Sequence, residues 1–323
     1  VFDENLSFIN EFGGKGENIG QFDLPVMSAA WEGKIYVCDK NNDRIVCIGE
    51  DDSESVDVIT CRHHQGQLRR PSCLAIDSEK RIFVADRSNG LIQVFDENLK
   101  FCGLLGAGRL SLHRPSSIAI HTDEKETRYY LAERREGYDC RIKIYESHQG
   151  FEKLRLRKEF ESGVFNDPQD IAVSEDGVLF VADTLNRRLF RYDFRSSSSN
   201  EIDMVEITGN DRILIKSVCA SNNGRIYTAD FDLGIVYEFS NQLKFLRSID
   251  LSSSLKQGLE VLRAVFVDRE LLFICGRGEK QIKVYDLEGV FLSDIAPNDA
   301  YGKHWNHPVK IAKFGPGEYL VAD

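Results

Sequence analysis

The stretch IFVADRSNGLIQVF, residues 82–95, decides the fold because its pattern returns along the whole chain. Related stretches begin at residues 35, 129, 179, 226 and 272, and a shortened copy, YLVAD, occupies 319–323. The fifth residue of each copy is an aligned position that is acidic or, once, glycine: Asp39, Asp86, Glu133, Asp183, Asp230, Gly276 and Asp323. Consecutive aligned positions are 46 to 50 residues apart. A nearly constant spacing of this size predicts a repeat architecture.

Each copy predicts four short strands, which we label a to d in chain order. A run that is often opened by proline precedes the signature, as in PSCLAI (71–76), and another run follows it, as in FCGLLG (101–106). These runs are rich in β-branched and aromatic residues and are separated by Gly, Asn, Asp and Ser, as strands and turns usually are. Four strands every 40–50 residues are typical of one blade of a β-propeller.

The hexapeptide VFDENL occurs at 94–99, where strand c turns into strand d, and again at 1–6. We therefore expect residues 1–12 to complete the blade whose first two strands lie in residues 308–323. Closure of this kind leaves no open sheet edge. Six whole units and one composite unit predict an all-β chain: a single β-propeller domain over residues 1–323 with seven four-stranded antiparallel blades.

Composition narrows the function classes. The chain has 52 acidic and 41 basic residues and a formal net charge of −11, and it contains no apolar run of the roughly 20 residues that a membrane span needs. None of the eight cysteines forms a CxxC pair, which disfavours a zinc or disulfide framework and favours a reducing compartment, the cytoplasm. We expect no cofactor, no metal, no membrane partner and a monomeric domain.

The charges separate by connection type. Alternating strands place the a–b and c–d connections at one end of a blade, and these are acidic, as in HTDEKET (121–127). The d–a and b–c connections lie at the other end, which we call the basic end. Its candidate RNA-binding residues are Lys40, Arg44, Arg69, Arg70, Arg87, Arg109, His113, Arg114, Arg134, Arg135, Tyr138, Arg187 and Arg188. Arginine forks suit phosphate oxygens, and Tyr138 could stack on an unpaired base.

Structural roles compete with these binding roles. Arg44 and Arg188 follow the signature and could instead pair with carboxylates in the next blade. The aligned aspartates are expected to accept hydrogen bonds from turn amides and not to act in catalysis. The arginine pairs in QLRRPS (67–72) and AERREG (132–137) do not fit the side-chain pattern of a strand. We therefore expect them to act in ligand binding.

The run FGGKGENIGQFDLP (12–25), followed by IYVCDKNNDRI (35–45), resembles the NHL repeat, and the VAD signatures resemble it too. The chain is similar in style to the C-terminal domains of TRIM-NHL proteins. That resemblance implies a propeller, usually of six blades, that serves as a binding platform for RNA or protein and not as an enzyme. It also implies that a RING-type ubiquitin ligase module often precedes the domain.

Three functions follow as hypotheses. The first is an RNA-binding platform of a post-transcriptional regulator, which binds short single strands or hairpins at the basic end. The alternative is a protein-interaction platform that recruits partners or ubiquitination substrates. An enzyme of the propeller lyase or lactonase kind would need metal ligands that converge from several blades. The seven histidines do not recur at one repeat position, so we expect no enzyme.

Overall fold

A computed structural model describes residues 2–3, 5–7, 13–49, 56–59, 67–105, 112–134, 140–148, 153–230, 232–251, 262–276, 282–295, 310–315 and 318–322. Contacts divide the chain into two compact units. Unit 1 comprises residues 1–136, 142–160 and 312–323, and unit 2 comprises residues 137–141 and 161–311. Each unit is described by itself below.

Unit 1 contains the first three blades, each a four-stranded sheet with its strands in sequence order. Blade 1 consists of β1 (Pro25–Trp31), β2 (Lys34–Asp39), β3 (Arg44–Gly49) and β4 (Val56–Ile59). Blade 2 consists of β5 (Pro71–Ile76), β6 (Ile82–Asp86), β7 (Leu91–Phe95) and β8 (Phe101–Leu105). Blade 3 consists of β9 (Pro115–Thr122), β10 (Thr127–Glu133), β11 (Arg141–Ser147) and β12 (Arg155–Glu159).

Unit 2 contains three more four-stranded blades. Blade 4 consists of β13 (Pro168–Val173), β14 (Val178–Asp183), β15 (Arg188–Asp193) and β16 (Ser198–Asp203), and the short helix α1 (Met204–Thr208) follows it. Blade 5 consists of β17 (Ile215–Ala220), β18 (Arg225–Asp230), β19 (Ile235–Ser240) and β20 (Phe245–Asp250). Blade 6 consists of β21 (Leu262–Asp268), β22 (Leu271–Gly276), β23 (Ile282–Asp286) and β24 (Phe291–Ile295).

The fold is an all-β propeller of four-stranded antiparallel blades, but the number of blades is six and not the predicted seven. The last two strands, β25 (Lys310–Gly315) and β26 (Glu318–Ala322), form a two-stranded sheet. Phe2 bridges Tyr319 of β26 through two backbone hydrogen bonds of 3.0 Å, so the N-terminal segment does meet the last strand. The count of signatures was wrong because a signature supplies only strands b and c, whereas a blade requires four paired strands.

The hydrophobic core lies between successive blades. The b strands are buried on both faces, as in β6, where all five residues are buried, while the outer strand β8 alternates between buried and exposed residues. In unit 1, Tyr36 and Cys38 of blade 1 pack with Val84 and Phe95 of blade 2. In unit 2, Phe180 of blade 4 belongs to the same apolar cluster as Phe239 and other residues of blade 5. Stacking of this kind explains why the signature is apolar almost throughout.

Proline opens strand a as the sequence indicates. Pro25, Pro71, Pro115 and Pro168 are the first residues of β1, β5, β9 and β13. An edge strand accepts a residue that cannot donate to the ladder. The residues before these prolines, Leu24, Arg70, Arg114 and Asp167, have positive φ angles of 47° to 57°. The d–a connection therefore makes a sharp turn just before each new blade, and it presents Arg70 and Arg114 at the basic end.

No helix within the described ranges is long and apolar enough to cross a membrane. Seven of the eight cysteines fall in these ranges, and all seven are free thiols. Burial raises the pKa of the Cys38 thiol well above its ordinary value, with Cys73 and Asp39 contributing in the same direction. The Cys38 side chain is therefore a neutral core residue.

Candidate functional site

The aligned carboxylates fasten the d–a connections to the strands. In blades 1 to 4 each accepts a hydrogen bond of 2.7 to 2.9 Å from a backbone amide of the preceding connection: Asp39 from Asp23, Asp86 from Arg69, Glu133 from His113 and Asp183 from Asn166. Burial raises the pKa of Asp86 and Asp183, and these hydrogen bonds partly oppose the increase. The prediction that the aligned carboxylates accept turn amides is confirmed.

Arg44 is a structural residue and not part of a binding surface. Only 4% of the residue is exposed, and its Nε lies 2.7 Å from Asp39 Oδ2. Its other nitrogens donate to the backbone carbonyls of Glu17, Asn18 and Gln21. The guanidinium therefore makes four internal hydrogen bonds, and these replace the proposed phosphate contact.

Arg188 has the same role in unit 2. Its Nε donates to Asp183 Oδ2 at 2.7 Å, and its remaining nitrogens contact Glu201 and the carbonyl of Val164. The guanidinium also lies over the rings of Phe165 and Phe190. The alternative left open by the sequence was pairing with a carboxylate in the next blade. Arg44 and Arg188 do pair with carboxylates, but these belong to their own blades. Both arginines leave the candidate set.

Four predicted residues come together in one pocket of about 430 Å³ at the basic end of blades 2 and 3. We call it the basic pocket. Its side chains are Arg87, His113, Arg114 and Arg134, and its remaining lining is Ser88, Asn89, Gly90 and Leu112. His113 and Arg114 are exposed, while Arg87 and Arg134 are half-buried. Among the described residues, the lining therefore carries three permanent positive charges and a histidine, with no carboxylate.

Backbone contacts between the two blades shape this pocket. The amide of Leu112 donates to Gly90 O at 3.2 Å, and the amide of Arg134 donates to Arg114 O at 3.3 Å. Gly90 has a φ of 70°, and a Cβ added there would lie 2.7 Å from Leu112 O. Only glycine suits this position, because both the left-handed backbone and the close approach exclude a side chain.

Buried acids support the pocket from inside. Asp86 accepts from Asn89 Nδ2 and Gln93 Nε2 at 2.8 and 2.7 Å, and Glu133 Oε1 lies 3.0 Å from Lys143 Nζ. Because these carboxylates already have donors, the arginines that follow them in sequence, Arg87 and Arg134, line the open side. An anion in the pocket would meet a positive field partly shielded from water.

Three more candidates extend the basic end beyond the pocket. Arg69 borders it, because its carbonyl accepts from the amide of Ser88 at 3.1 Å. The amide of Arg70 donates to Asp43 in the b–c turn of blade 1, and Lys40 begins that turn. Arg69 and Arg70 are exposed, and within the described part of the chain neither guanidinium has a hydrogen-bond or ion-pair partner.

Arg187 lies in unit 2, where it is exposed and its Nη1 donates to Asp211 O at 2.8 Å. Arg109, Arg135 and Tyr138 fall outside the described residues.

Sequence reasoning missed a polar group at the opposite, acidic end of blade 3. Glu126 precedes β10, Glu146 lies near the end of β11, and His148 follows β11. One ligand atom from each of these residues lies within 4.8 Å of the others. No local motif signals the group, since 20 residues separate the two glutamates in sequence and only the pairing of β10 with β11 joins them.

The comparisons with known proteins agree with the signature and the topology. Residues 68–95 match the NHL repeat. These residues comprise the entry to blade 2 and its first three strands, β5 to β7, including Arg69, Arg70 and Arg87. No curated protein sequence matches the chain. Membership in the TRIM-NHL family is therefore not supported, whereas the presence of an NHL repeat is.

Solved structures share the fold over most of the chain. A streptogramin B lyase aligns with a TM-score of 0.69 at 12% identity, covering 97% of this chain and 93% of that one. A catalytically inactive virginiamycin B lyase from Staphylococcus aureus, solved with quinupristin, gives 0.70 at 14% identity and 97% coverage of both chains. The WD40 repeats of RRP9 give 0.64 at 14% identity, covering 85% and 82%.

These neighbours correct one expectation. The sequence argument assigned no enzymatic activity to the domain, but structural neighbours over nearly the whole chain include lyases, which are enzymes. The propeller therefore does not distinguish a binding module from an enzyme, and identities of 12–14% establish the shared fold alone.

Proposed function

We propose that this NHL-type propeller is a binding platform and that its basic pocket binds phosphate groups of single-stranded or hairpin RNA. The observation that carries this proposal is the convergence of Arg87, His113, Arg114 and Arg134 around one pocket, whose lining includes no carboxylate among the described residues. Its volume of about 430 Å³ is within the usual range for sites that take a small ligand or one segment of a larger one.

The chemistry favours a phosphate ligand. A guanidinium presents paired N–H donors that match two phosphate oxygens, and charge-assisted hydrogen bonds of this kind are about twice as strong as neutral ones. Ser88, Asn89 and Gly90 form the rim, so Asn89 can supply further polar contacts. The pocket therefore suits a phosphoryl group, two oxygens of which accept from one guanidinium, better than an apolar ligand.

The surroundings favour a polymer over a free ion. Arg69 borders the pocket, and Arg70 and Lys40 continue along the entry of blade 2 and the b–c turn of blade 1. A chain with regularly spaced phosphates could occupy the pocket and follow this series toward blade 1. Binding of this type is sensitive to salt because each phosphate contact releases counterions.

A second candidate is a protein segment with acidic or phosphorylated side chains. One observation favours it: within the described part of the chain, the residues that line the pocket include no Phe, Tyr or Trp on which a base could stack. Propellers of this fold commonly act as protein-interaction platforms. Such a segment would use the same arginines, so the two candidates differ in ligand and not in site.

Fluorescence anisotropy with labelled random single-stranded RNA tests the proposal at roughly 50 and 200 mM salt. The variant is Arg114→Glu, and its matched control is Lys100→Glu, an exposed lysine in the c–d turn at the other end of blade 2. We expect Arg114→Glu to weaken binding about tenfold at the lower salt, whereas Lys100→Glu changes it less than about twofold.

Equal effects of the two variants, or no RNA binding by folded protein at low salt, would contradict the RNA assignment. A labelled phosphopeptide of mixed sequence provides the second arm. Peptide binding that Arg114→Glu removes, in the absence of RNA binding, would assign the pocket to the protein candidate.

A further inference from the structure

Blade 3 has a second polar site, at the end opposite the basic pocket. β10 separates the two ends: Glu126 precedes its first residue, and Arg134 follows its last. A strand of seven residues spans roughly 20 Å, so a ligand at one end does not touch the other. The polar site contains Glu126, Glu146 and His148, and it opens on a cavity of about 180 Å³.

Each glutamate divides its two oxygens between an arginine and the histidine. Glu126 Oε1 contacts Arg128, while its Oε2 lies 3.7 Å from His148 Nδ1. Glu146 Oε2 lies 3.5 Å from Arg157 Nε, while its Oε1 lies 2.9 Å from His148 Nε2. The arginines therefore orient both carboxylates and leave one oxygen of each directed at the imidazole.

The imidazole has a suitable partner for its second nitrogen. His148 Nδ1 lies 3.3 Å from the carbonyl oxygen of Lys125. If Nδ1 carries the proton and donates to that carbonyl, Nε2 presents its lone pair toward Glu146. Histidines that bind metals commonly hold the other ring N–H on a backbone carbonyl or a carboxylate in this way.

The ligand spacing is close to what a small cation needs. Four ligands at about 2.0 Å from a tetrahedral metal lie about 3.3 Å from one another. The three ligand atoms lie within 4.8 Å of one another, and the side chain of His148 is 57% exposed. The cavity, which Asp123, Glu124 and Ser147 also line, leaves a fourth position for water.

We propose that Glu126, Glu146 and His148 form a binding site for a divalent transition-metal cation such as Zn²⁺. One imidazole nitrogen and two carboxylate oxygens suit zinc, whereas Mg²⁺ prefers oxygen ligands alone and keeps several of its waters. The sequence argument against a metal required histidines at one repeat position in several blades. This site draws on adjacent strands of one blade, so that argument does not apply to it.

Two carboxylates with a protonated histidine would also form a simple ion-pair cluster. The two arrangements differ in their response to metal: an ion-pair cluster binds Zn²⁺ only weakly, because the metal must displace the proton and compete with the arginines for the carboxylates. Metal binding therefore distinguishes them directly.

Isothermal titration of the chelator-treated protein with Zn²⁺ is the first test, with Mg²⁺ in parallel. We expect one equivalent of Zn²⁺ to bind and His148→Ala to weaken it at least about tenfold. The matched control is Glu124→Gln, which removes a charge from the same cavity without removing a ligand atom. It should leave the affinity within about threefold, since an exposed neighbouring charge contributes little.

Absorption of the Co²⁺-loaded protein locates the metal independently. A nitrogen and oxygen ligand set gives visible bands without a thiolate charge-transfer band, and His148→Ala should remove those bands. A thiolate band would place the metal on cysteine and overturn the proposal. Absence of Zn²⁺ binding, or binding that His148→Ala leaves unchanged, would overturn it as well. None of these outcomes depends on whether the basic pocket binds RNA.

Discussion

Arginines one residue after the aligned carboxylate and arginines five residues after it have different environments. Arg44 and Arg188, in the later position, are the first residues of strand c and are direct cross-strand partners of Asp39 and Asp183. Arg87 and Arg134, in the earlier position, begin the b–c connection and line the basic pocket. The same residue type therefore stabilises a blade or lines an open pocket according to its register with one buried acid.

Blade 2 shows how that acid can be satisfied without an arginine. The cross-strand partner of Asp86 is Leu91, and the donors to Asp86 are Asn89 and Gln93 instead. Blade 3 uses Lys143 on Glu133. Because both blades neutralise the acid with other residues, their pocket-lining arginines are not needed for that purpose.

The largest expected effect is on stability, from Arg44→Met. Removing one partner of a buried ion pair leaves Asp39 uncompensated, and losses of about 3–5 kcal/mol in the free energy of unfolding are usual in such cases. Urea unfolding measures this loss. Arg188→Met should have a smaller effect, because its side chain is 17% exposed against 5% for Arg44. If the Arg44→Met variant has normal stability but weakened RNA binding, Arg44 contacts RNA and does not stabilise the blade, which would contradict the comparison.

Gly90→Ala is expected to lower both the free energy of unfolding and the affinity for RNA. The new Cβ would require a left-handed backbone and would meet Leu112 O, at a cost of about 1–2 kcal/mol. The shift of residues 112–114 should also weaken RNA binding. Gly163→Ala is the matched control, since Gly163 has a φ of 86° but nothing within 4 Å of its added Cβ. Equal RNA affinities for the two variants would show that the close contact does not shape the pocket.

The smallest effect on stability is expected from Arg69→Ala with Arg70→Ala. Both side chains are exposed, and substitutions at such positions usually change the free energy of unfolding by about 0.5 kcal/mol or less. RNA affinity should nevertheless fall, because both residues border the basic pocket or continue from it toward blade 1. Thermal unfolding and anisotropy on one preparation measure both quantities. A large loss of stability would mean that Arg69 and Arg70 support the blade.

Much of the fold can be predicted from the sequence because the same strand pattern occurs in several copies. Strand identity, the openings at Pro25, Pro71, Pro115 and Pro168, and the structural role of the aligned carboxylates were all predictable from a pattern present in several copies. The number of blades was not, because the terminal strands β25 and β26 carry a signature while pairing as only two strands with one bridge to Phe2.

The site was predictable only in part. The signature places Arg87 and Arg134 in turns and Arg114 before a proline, which is enough to locate them at one end of the blades. Arg44 is also an arginine close to an aligned acid in the sequence. Whether its side chain points to the solvent or to that acid depends on the cross-strand register with Asp39. Glu126, Glu146 and His148 belong to one blade without a repeated motif, and only the strand pairing brings them together.

The salt dependence of RNA binding by Arg87→Gln/Arg134→Gln tests most directly whether the arginines that follow the buried acid contact phosphate. For single-stranded RNA each lost phosphate contact should reduce the slope of log K against log salt by about 0.7, so the double variant should lose about 1.4. The free energy of unfolding is measured on the same samples, so that only folded protein is compared. A slope that matches the unsubstituted protein would contradict the account and remove these arginines from the binding surface.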